Sequence, residues 1–393
     1  MSTGRGGTDA RAGAGTGTGD RPPFTALPDL ASRALGGTVV YANDELFAAR
    51  ENLIRSEPPV FSAGVFGPKG KVYDGWETRR RRDEGHDHAI VRLGAAGIVH
   101  GVVVDTAFFR GNYPPEVSVE ATAAEGYPAP AELAAVHWTP LVPRSPVTGD
   151  AQNLLSVEDR RRYTHVRLSI YPDGGVARLR IHGEVVPDPR FLSGTIDLAA
   201  AEHGGTVLDC SDMFYSSPSN LTLPGRARLM GEGWETARRR DAGNDWVALR
   251  LAVEGCPRHV EIDTSYFVGN APGWARLTAT AGSETWEVLP RTRLQPDTRH
   301  RFVVADPCPA TQLRLDIYPD GGLARLRVHG EPTPSGRAGA AARWLDALPV
   351  EHARAVLRGV PGLPPSSVDE AVDARPYGDV DRMPAALRAA LLG

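Results

Sequence analysis

The sequence predicts an all-β protein built from two tandem jelly-roll β-sandwich domains, with a short α-helical tail at the C-terminus. Three observations support this fold class: a long internal duplication, a mostly two-residue apolar periodicity within each copy, and a change to helical spacing after Pro334. Short strands separated by Gly, Pro and Asp turns are typical of β-sandwiches and jelly rolls.

The duplication is most evident in segment 75–112, which returns 158 residues later as segment 233–270 with 19 of 38 aligned positions identical. Most of these identities are polar, Gly or Arg, whereas a repeated core alone would retain apolar residues. The offset is 168 upstream of this segment and 147 downstream of it, which places an insertion of about ten residues in each of two surface loops of the first copy. Units of roughly 150 residues are too long for a solenoid repeat and indicate duplicated domains.

The predicted organisation begins with a disordered segment, 1–23, whose Gly, Thr, Ala and Arg residues cannot bury enough apolar surface to fold. The first repeat is predicted at 24–188, the second at 189–334 and the tail at 335–393. Within the first repeat, alternating segments around 167–171 and 176–181 flank a Pro-Asp-Gly-Gly turn and predict a hairpin. The tail has helical spacing over 338–348, 350–358 and 383–392.

Composition excludes several classes of protein. The net charge of −4 gives no field that would attract nucleic acid, and no apolar run approaches the roughly 20 residues of a membrane helix. The N-terminus lacks the apolar core of a secretory signal, and the three cysteines have no metal-type spacing, so we expect reduced thiols in a cytoplasmic protein. Metal, phosphate-loop and nucleophile-elbow motifs are also absent, so we expect neither a metal nor a cofactor.

Three side chains of segment 75–112 are candidates for catalysis: Glu77, His86 and Asp105. A Glu beside a bulky aromatic can have its pKa raised by desolvation, which suits a general acid, although pairing with the nearby arginines is an equally good explanation. His86 is replaced by Asn244 in the second copy, so proton transfer by imidazole would favour the first copy; the alternative is a turn cap. Asp105 ends a Val-rich strand, where sandwich loops gather.

Other repeated polar residues are candidates for substrate binding. Guanidinium groups bind carboxylates through two contacts, but adjacent strand residues face opposite ways, so only one or two arginines per copy could reach a ligand. An Asn offers both a donor and an acceptor for an amide or ureido group, or simply closes a turn. The predicted binding residues are Arg80, Arg81, Asp87, Asn112, Glu235, Arg238, Asp263 and Asn270.

The motifs Gly-Trp-Glu-Thr at 75–78, Gly-His-Asp at 85–87, Asp-Thr at 105–106 and Gly-Asn at 111–112, with their second copies, closely resemble the allantoicase family. The resemblance covers about residues 25–333 and departs from the family pattern at His88 and Glu232. It implies paired jelly rolls in a homo-oligomer that hydrolyses allantoate to ureidoglycolate and urea. It further implies that Arg80 or Arg81 binds the substrate carboxylate, Asn112 and Asp105 bind the ureido groups, and Glu77 and His86 transfer protons.

Two other classes of function remain open from the sequence: a non-catalytic small-ligand-binding jelly-roll protein, and a related ureido hydrolase with another substrate. Urea release from allantoate would distinguish them. The tail weakly resembles the opening helices of ureidoimidazoline decarboxylases, but the His-Pro part of that catalytic site is missing. We therefore predict a remnant or a packing element there and not a second activity.

Overall fold

The computed structural model describes residues 21–62, 64–67, 70–124 and 126–392. Two β-sandwich units follow one another and a helical tail packs beside them, so the predicted all-β class with a short helical tail is confirmed. Residues 1–20, most of the segment predicted to be disordered, lie outside the described residues. None of the described helices is long and apolar enough to cross a membrane.

The described residues of the first unit form eleven strands and one short helix, α1 (Pro130–Ala135). Its strands are β1 (Thr38–Ala42), β2 (Phe66–Gly67), β3 (Gly70–Lys71), β4 (Trp76–Glu77), β5 (Asp87–Asp105), β6 (Glu116–Thr122), β7 (Thr139–Pro146), β8 (Gln152–Ser156), β9 (Arg162–Tyr171), β10 (Gly175–Val176) and β11 (Arg178–Val185).

The second unit repeats this plan with ten strands. They are β12 (Ile196–Asp197), β13 (Thr206–Cys210), β14 (Trp234–Glu235), β15 (Asp245–Asp263), β16 (Trp274–Ala281), β17 (Glu284–Arg293), β18 (Arg299–Val303), β19 (Ala310–Tyr318), β20 (Gly322–Leu323) and β21 (Arg325–Pro332). Single 3₁₀ turns lie at Pro23–Ala26, Arg33–Leu35, Arg50–Ile54, Pro189–Phe191, Ala201–His203, Pro218–Thr222, Met230–Glu232, Pro365–Ser367 and Val380–Arg382.

One 19-residue strand in each unit connects its two layers. The first half of β5 pairs with β1 and β9, and the second half pairs with β8 and β11, all antiparallel. In the second unit β15 pairs with β13 and β19 first, and then with β18 and β21. The alternating burial of β5 arises because successive side chains of a strand point to opposite faces.

The predicted hairpin at 167–181 is wrong, although both of its strands exist. Strand β9 pairs with β5 and β6, whereas β11 pairs with the far half of β5. Between them, Gly174 has a positive φ of 141°, and Gly175 and Val176 pair with Glu77 and Trp76 instead. The turn residues therefore carry the chain from one layer to the other, a long-range pairing that local turn chemistry cannot indicate.

Each unit has its own apolar core. The first is centred on Trp76, Val102 and Leu168, and the second on Trp234, Val260 and Leu315, all fully buried. Burying one such side chain contributes roughly 1.5–3 kcal/mol, so each core can support its own unit.

The tail consists of α2 (Pro334–Ala347), α3 (Val350–Arg358), α4 (Val368–Asp373) and α5 (Ala385–Leu392). Its buried Trp344 and Leu345 belong to a third cluster that also includes Val186 from the end of the first unit. Thr333 Oγ1 donates to Glu254 Oε1 at 2.6 Å and accepts from Gly336 N at 3.0 Å, which caps α2 and ties it to β15. These contacts support a packing role for the tail.

Candidate active site

Glu77 and Asn112 meet at one end of the first sandwich. Asn112 Nδ2 donates to Glu77 Oε1 at 2.6 Å, and the Asn112 carbonyl accepts from Gly175 N at 2.7 Å. Because Gly175 pairs with Glu77 across β10 and β4, the loop that carries Asn112 is fixed to the strand that carries the carboxylate. A Cβ on Gly175 would lie 2.0 Å from the Phe109 ring, so only glycine permits this close packing.

The second unit reproduces the arrangement. Asn270 Nδ2 donates to Glu235 Oε1 at 2.6 Å, and the Asn270 carbonyl accepts from Gly322 N at 2.9 Å. A Cβ on Gly322 would clash with Phe267 at 1.8 Å. One pair of predicted residues is thus brought together in each copy, by the same backbone geometry.

The environment of Glu77 favours its protonated form. Burial raises the pKa of Glu77, and the hydrogen bond from Asn112 lowers it but does not cancel the increase. A carboxyl whose pKa is raised by burial is a better candidate for a general acid than a solvated one. The acid role predicted for Glu77 is compatible with this environment.

Asp44 and its counterpart Asp212 support the site and were not among the predicted residues. The Asp44 carbonyl accepts from Trp76 Nε1 at 2.8 Å, and its carboxylate accepts from Arg79 N at 2.8 Å. Asp212 makes the equivalent contacts with Trp234 Nε1 and Ala237 N. Each aspartate thus holds in place residues close to the glutamate of its unit, Glu77 or Glu235. The only sequence signal was that these aspartates match at the offset of 168.

The arginines that follow Glu77 and Glu235 fall into two groups: some form ion pairs with aspartates, and others are exposed and free to bind a ligand. Arg81 pairs with the buried Asp87 at 2.7 Å and with Asp83 at 3.0 Å. Arg239 pairs in the same way with Asp245 and Asp241, at 2.7 and 2.8 Å. Arg80 and Arg238 are exposed, and neither forms an ion pair with any described residue. Of the two arginines predicted to bind a carboxylate in the first copy, Arg80 is the available one.

His86 belongs to a different group of side chains. Its ring lies 4.8 Å from the ring of Tyr171 and 6.1 Å from that of His88. Burial and the charge of Arg167 lower the pKa of His86. No hydrogen bond among the described residues joins it to Glu77, and a shared role in proton transfer stays a prediction.

Asp105 and Asp263 close equivalent turns at the ends of β5 and β15. Asp105 Oδ1 accepts from Ala107 N at 2.8 Å and its Oδ2 from Gln152 Nε2 at 3.2 Å, and the residue is only 4% exposed. Asp263 Oδ1 accepts from Ser265 N at 2.9 Å. Their observed contacts are those of Asx turns, and a role in chemistry stays a prediction.

The two edges also differ in character. Where the first copy has Arg79 and Arg110, the second has Ala237 and Val268. Val268 is 69% exposed, and exposed Met213, Phe214 and Tyr215 belong to the same side of the second unit, since Tyr215 N donates to the Glu235 carbonyl. The second edge therefore exposes larger apolar side chains than the first, while both edges keep an exposed arginine, Arg80 or Arg238.

Comparison with known proteins agrees with the duplicated architecture. The family model described as the allantoicase repeat matches twice, at residues 28–186 and 196–333. A probable allantoicase of Nocardia farcinica is 60% identical over 314 residues, which cover 78% of this chain and 95% of that protein. A probable allantoicase of Streptomyces coelicolor is 54% identical, covering 82% and 90%.

A solved structure shows the same relationship. The crystal structure of allantoicase from Saccharomyces cerevisiae superposes with a TM-score of 0.69 at 34% identity, covering 78% of this chain and 96% of that one. The helical tail lies beyond the residues that the family model matches. With both copies matched in order and with such close relatives over nearly their whole length, the chain belongs to the allantoicase family.

Proposed function

We propose that this protein hydrolyses allantoate to ureidoglycolate and urea, in the degradation of purines, and that the reaction takes place at the Glu77 edge of the first unit. Family membership carries the choice of reaction. The observation that carries the choice of site is the half-buried Glu77 carboxyl, whose pKa is raised and whose Oε1 accepts from Asn112.

The bond that breaks joins a carbon to one of its two ureido nitrogens, so the substrate is an aminal. Protonated Glu77 gives its proton to the leaving nitrogen, the carbon–nitrogen bond breaks, and urea departs. The lone pair of the remaining ureido nitrogen forms a carbon–nitrogen double bond. Water then adds to the carbon and returns a proton to the Glu77 carboxylate, which restores the acid and yields ureidoglycolate.

Positioning falls to the neighbours of Glu77. Asn112 is already oriented toward the carboxyl, so its amide can contact the ureido group that receives the proton. Arg80, exposed and unpaired among the described residues, supplies the cation for the substrate carboxylate. His86 and Asp105 stay outside this minimal set, because their observed contacts are with Tyr171 and with a turn.

The reaction is tested by incubating the full chain with allantoate and measuring urea and ureidoglycolate. We expect the two products in equal amounts. A chain that retains allantoate without releasing urea would contradict the proposed activity.

We also propose a homo-oligomer in a reducing compartment such as the cytoplasm. The exposed apolar side chains beside Glu235, among them Phe214 at 70% and Val268 at 69% exposed, support burial against a second copy. All three cysteines, Cys210, Cys256 and Cys308, are free thiols, which supports a reducing environment.

A further inference from the structure

Each unit buries an arginine at the equivalent position on its last long strand. Arg178 is 1% exposed and Arg325 is 5% exposed. Arg178 donates to the carbonyls of Glu57, Asp74 and Ala177, and Arg325 donates to those of Gly225, Glu232 and Ala324. The backbone frame around the two guanidinium groups is therefore the same.

The two arginines differ in whether a carboxylate pairs with the guanidinium. In the first unit, Arg178 Nη2 donates to the Asp74 carboxylate at 2.7 Å. In the second unit, no carboxylate of the described residues forms an ion pair with Arg325. Burial, together with the charge of Arg327, lowers the pKa of Arg325 to about 10, and the charges of Glu232 and Asp263 offset this only in part. A buried guanidinium without a carboxylate is costly, and an anion that reached it would be strongly favoured.

The missing counterion has a specific cause. Glu232 occupies the position of Asp74, and its carboxylate accepts from Arg228 N at 2.7 Å, just as Asp74 accepts from Val60 N at 3.0 Å. However, Arg228 stands where the first unit has Val60, and its Nε also donates to Glu232 at 2.8 Å. The longer Glu232 side chain is thus held by Arg228 and forms no ion pair with Arg325, although its charge still favours the charged guanidinium.

Arg325 lines a cleft between the two units with a volume of about 620 Å³. Its charged lining has an excess of three positive charges, since five arginines face two glutamates. Neither Glu77, Asn112 nor Arg80 is in this lining. The charged lining residues are Arg33, Arg55, Arg226, Arg228, Arg325, Glu57 and Glu232.

We propose that this cleft binds a small carboxylate-bearing molecule whose carboxylate takes the place at Arg325 that Asp74 takes at Arg178. The first unit shows, with its own side chain, the contact expected of the ligand. Arg228 and Arg226 flank the position with further donors, which suits a dianion such as a short dicarboxylate. The site rests on the charges of the cleft and not on the function proposed for Glu77.

The test is calorimetric titration of sodium malonate into the full chain near neutral pH, against sodium chloride at equal ionic strength. We expect saturable binding of one malonate per chain. The informative variant is Glu232→Asp combined with Arg228→Val, because it recreates the arrangement of the first unit and supplies Arg325 with an internal carboxylate.

Malonate affinity should fall about tenfold or more in this double variant, the size expected for losing one charge-assisted hydrogen bond. Arg276→Gln is the matched control: it removes one positive charge on the outer surface, where Arg276 pairs with Glu287, and should bind malonate like the parent. Glu77→Gln should also bind it normally. Two results would overturn the proposal. One is malonate binding that does not saturate or does not exceed the chloride reference, and the other is a double variant that binds malonate as tightly as the parent.

Discussion

At Glu77, two neighbouring effects act on the pKa in opposite directions. Burial raises the pKa, and the hydrogen bond from Asn112 lowers it because it favours the charged carboxylate. Since the proposed acid works in its protonated form, activity should fall as pH rises through the pKa of Glu77. The alkaline limb of the kcat/KM profile therefore reports this residue.

Asn112→Ala should move that alkaline limb to higher pH. Without the amide donor the charged form of Glu77 loses a stabilising partner, so its pKa rises further. KM should increase as well, because a ureido contact is lost. The matched variant Asn270→Ala, in the second unit, should leave the limb in place. A limb that moves to lower pH in Asn112→Ala would contradict the assignment.

The neighbouring arginines should separate binding from stability. Arg80→Gln should raise KM for allantoate with unchanged unfolding free energy, because Arg80 is exposed and makes no ion pair among the described residues. Arg81→Gln should instead cost roughly 3 kcal/mol in urea unfolding, because it leaves the buried Asp87 without its guanidinium partner. If Arg81→Gln unfolds like the parent and only its KM for allantoate rises, then Arg81 binds the substrate and the assignment of Arg80 is contradicted.

Among single residues, the sequence predicted the Glu–Asn pairing partners as candidates but not their contact. It could not separate Arg80 from Arg81, because which of two adjacent arginines is bound depends on Asp83 and Asp87 in three dimensions. For His86, the resemblance implied a proton role shared with Glu77, and this stays a prediction; its ring packs on Tyr171, 85 residues further along the chain, a contact that the sequence did not indicate.

At the scale of elements, the buried Arg178–Asp74 pair fixes the start of β11 against the chain before β4. Burial alone would raise the pKa of Asp74, but the hydrogen bonds from Arg178 and Val60 outweigh it and lower the pKa. The carboxylate form thus contributes stability above its unfolded pKa, near the reference value of 3.8, and that stability is lost as pH falls through the lower folded pKa.

Asp74→Asn should therefore lower the unfolding free energy by about 3 kcal/mol near neutral pH, since it leaves Arg178 buried without a counterion. Glu232→Gln, at the equivalent position, should cost less than about 1 kcal/mol, because Glu232 pairs with the exposed Arg228. Urea unfolding of both variants measures the difference, which should shrink in acid. Equal costs at neutral pH would show that the two positions are equivalent.

The secondary structure was predictable where the signal is local. The predicted tail helix at 350–358 coincides with the observed α3. The strands that were expected to end at Asp105 and Asp263 do end there. The hairpin at 167–181 was not predictable, because its strands pair with opposite halves of β5. Partner choice in a jelly roll is a long-range property that turn residues do not encode.

At the scale of the whole molecule, duplication followed by divergence left two similar edges with different surfaces. The first keeps Arg79 and Arg110, and the second has Ala237 and the exposed Val268. The exposed apolar side chains of the second edge are the basis of the interface proposed there. The presence and order of the two repeats followed from sequence alone, whereas the cleft between the units did not.

If the second edge is an interface between copies, light scattering should give a mass larger than that of one chain. Phe214→Glu combined with Val268→Glu should reduce the assembly, because two charges would then be buried in the contact. Val303→Glu, at an 86% exposed position on β18, is the control and should leave the mass unchanged. A monomeric parent protein would contradict the proposed interface.

The central claim is that Glu77 in the first unit carries the proton transfer, and comparing Glu77→Gln with Glu235→Gln tests it most directly. Urea release from allantoate is measured for both, with folding checked by circular dichroism. Glu77→Gln should lower kcat by roughly a hundred- to ten-thousandfold, the usual contribution of a general acid, while Glu235→Gln keeps most of the rate. Unchanged turnover in a folded Glu77→Gln protein, or an equal loss in both variants, would contradict the claim.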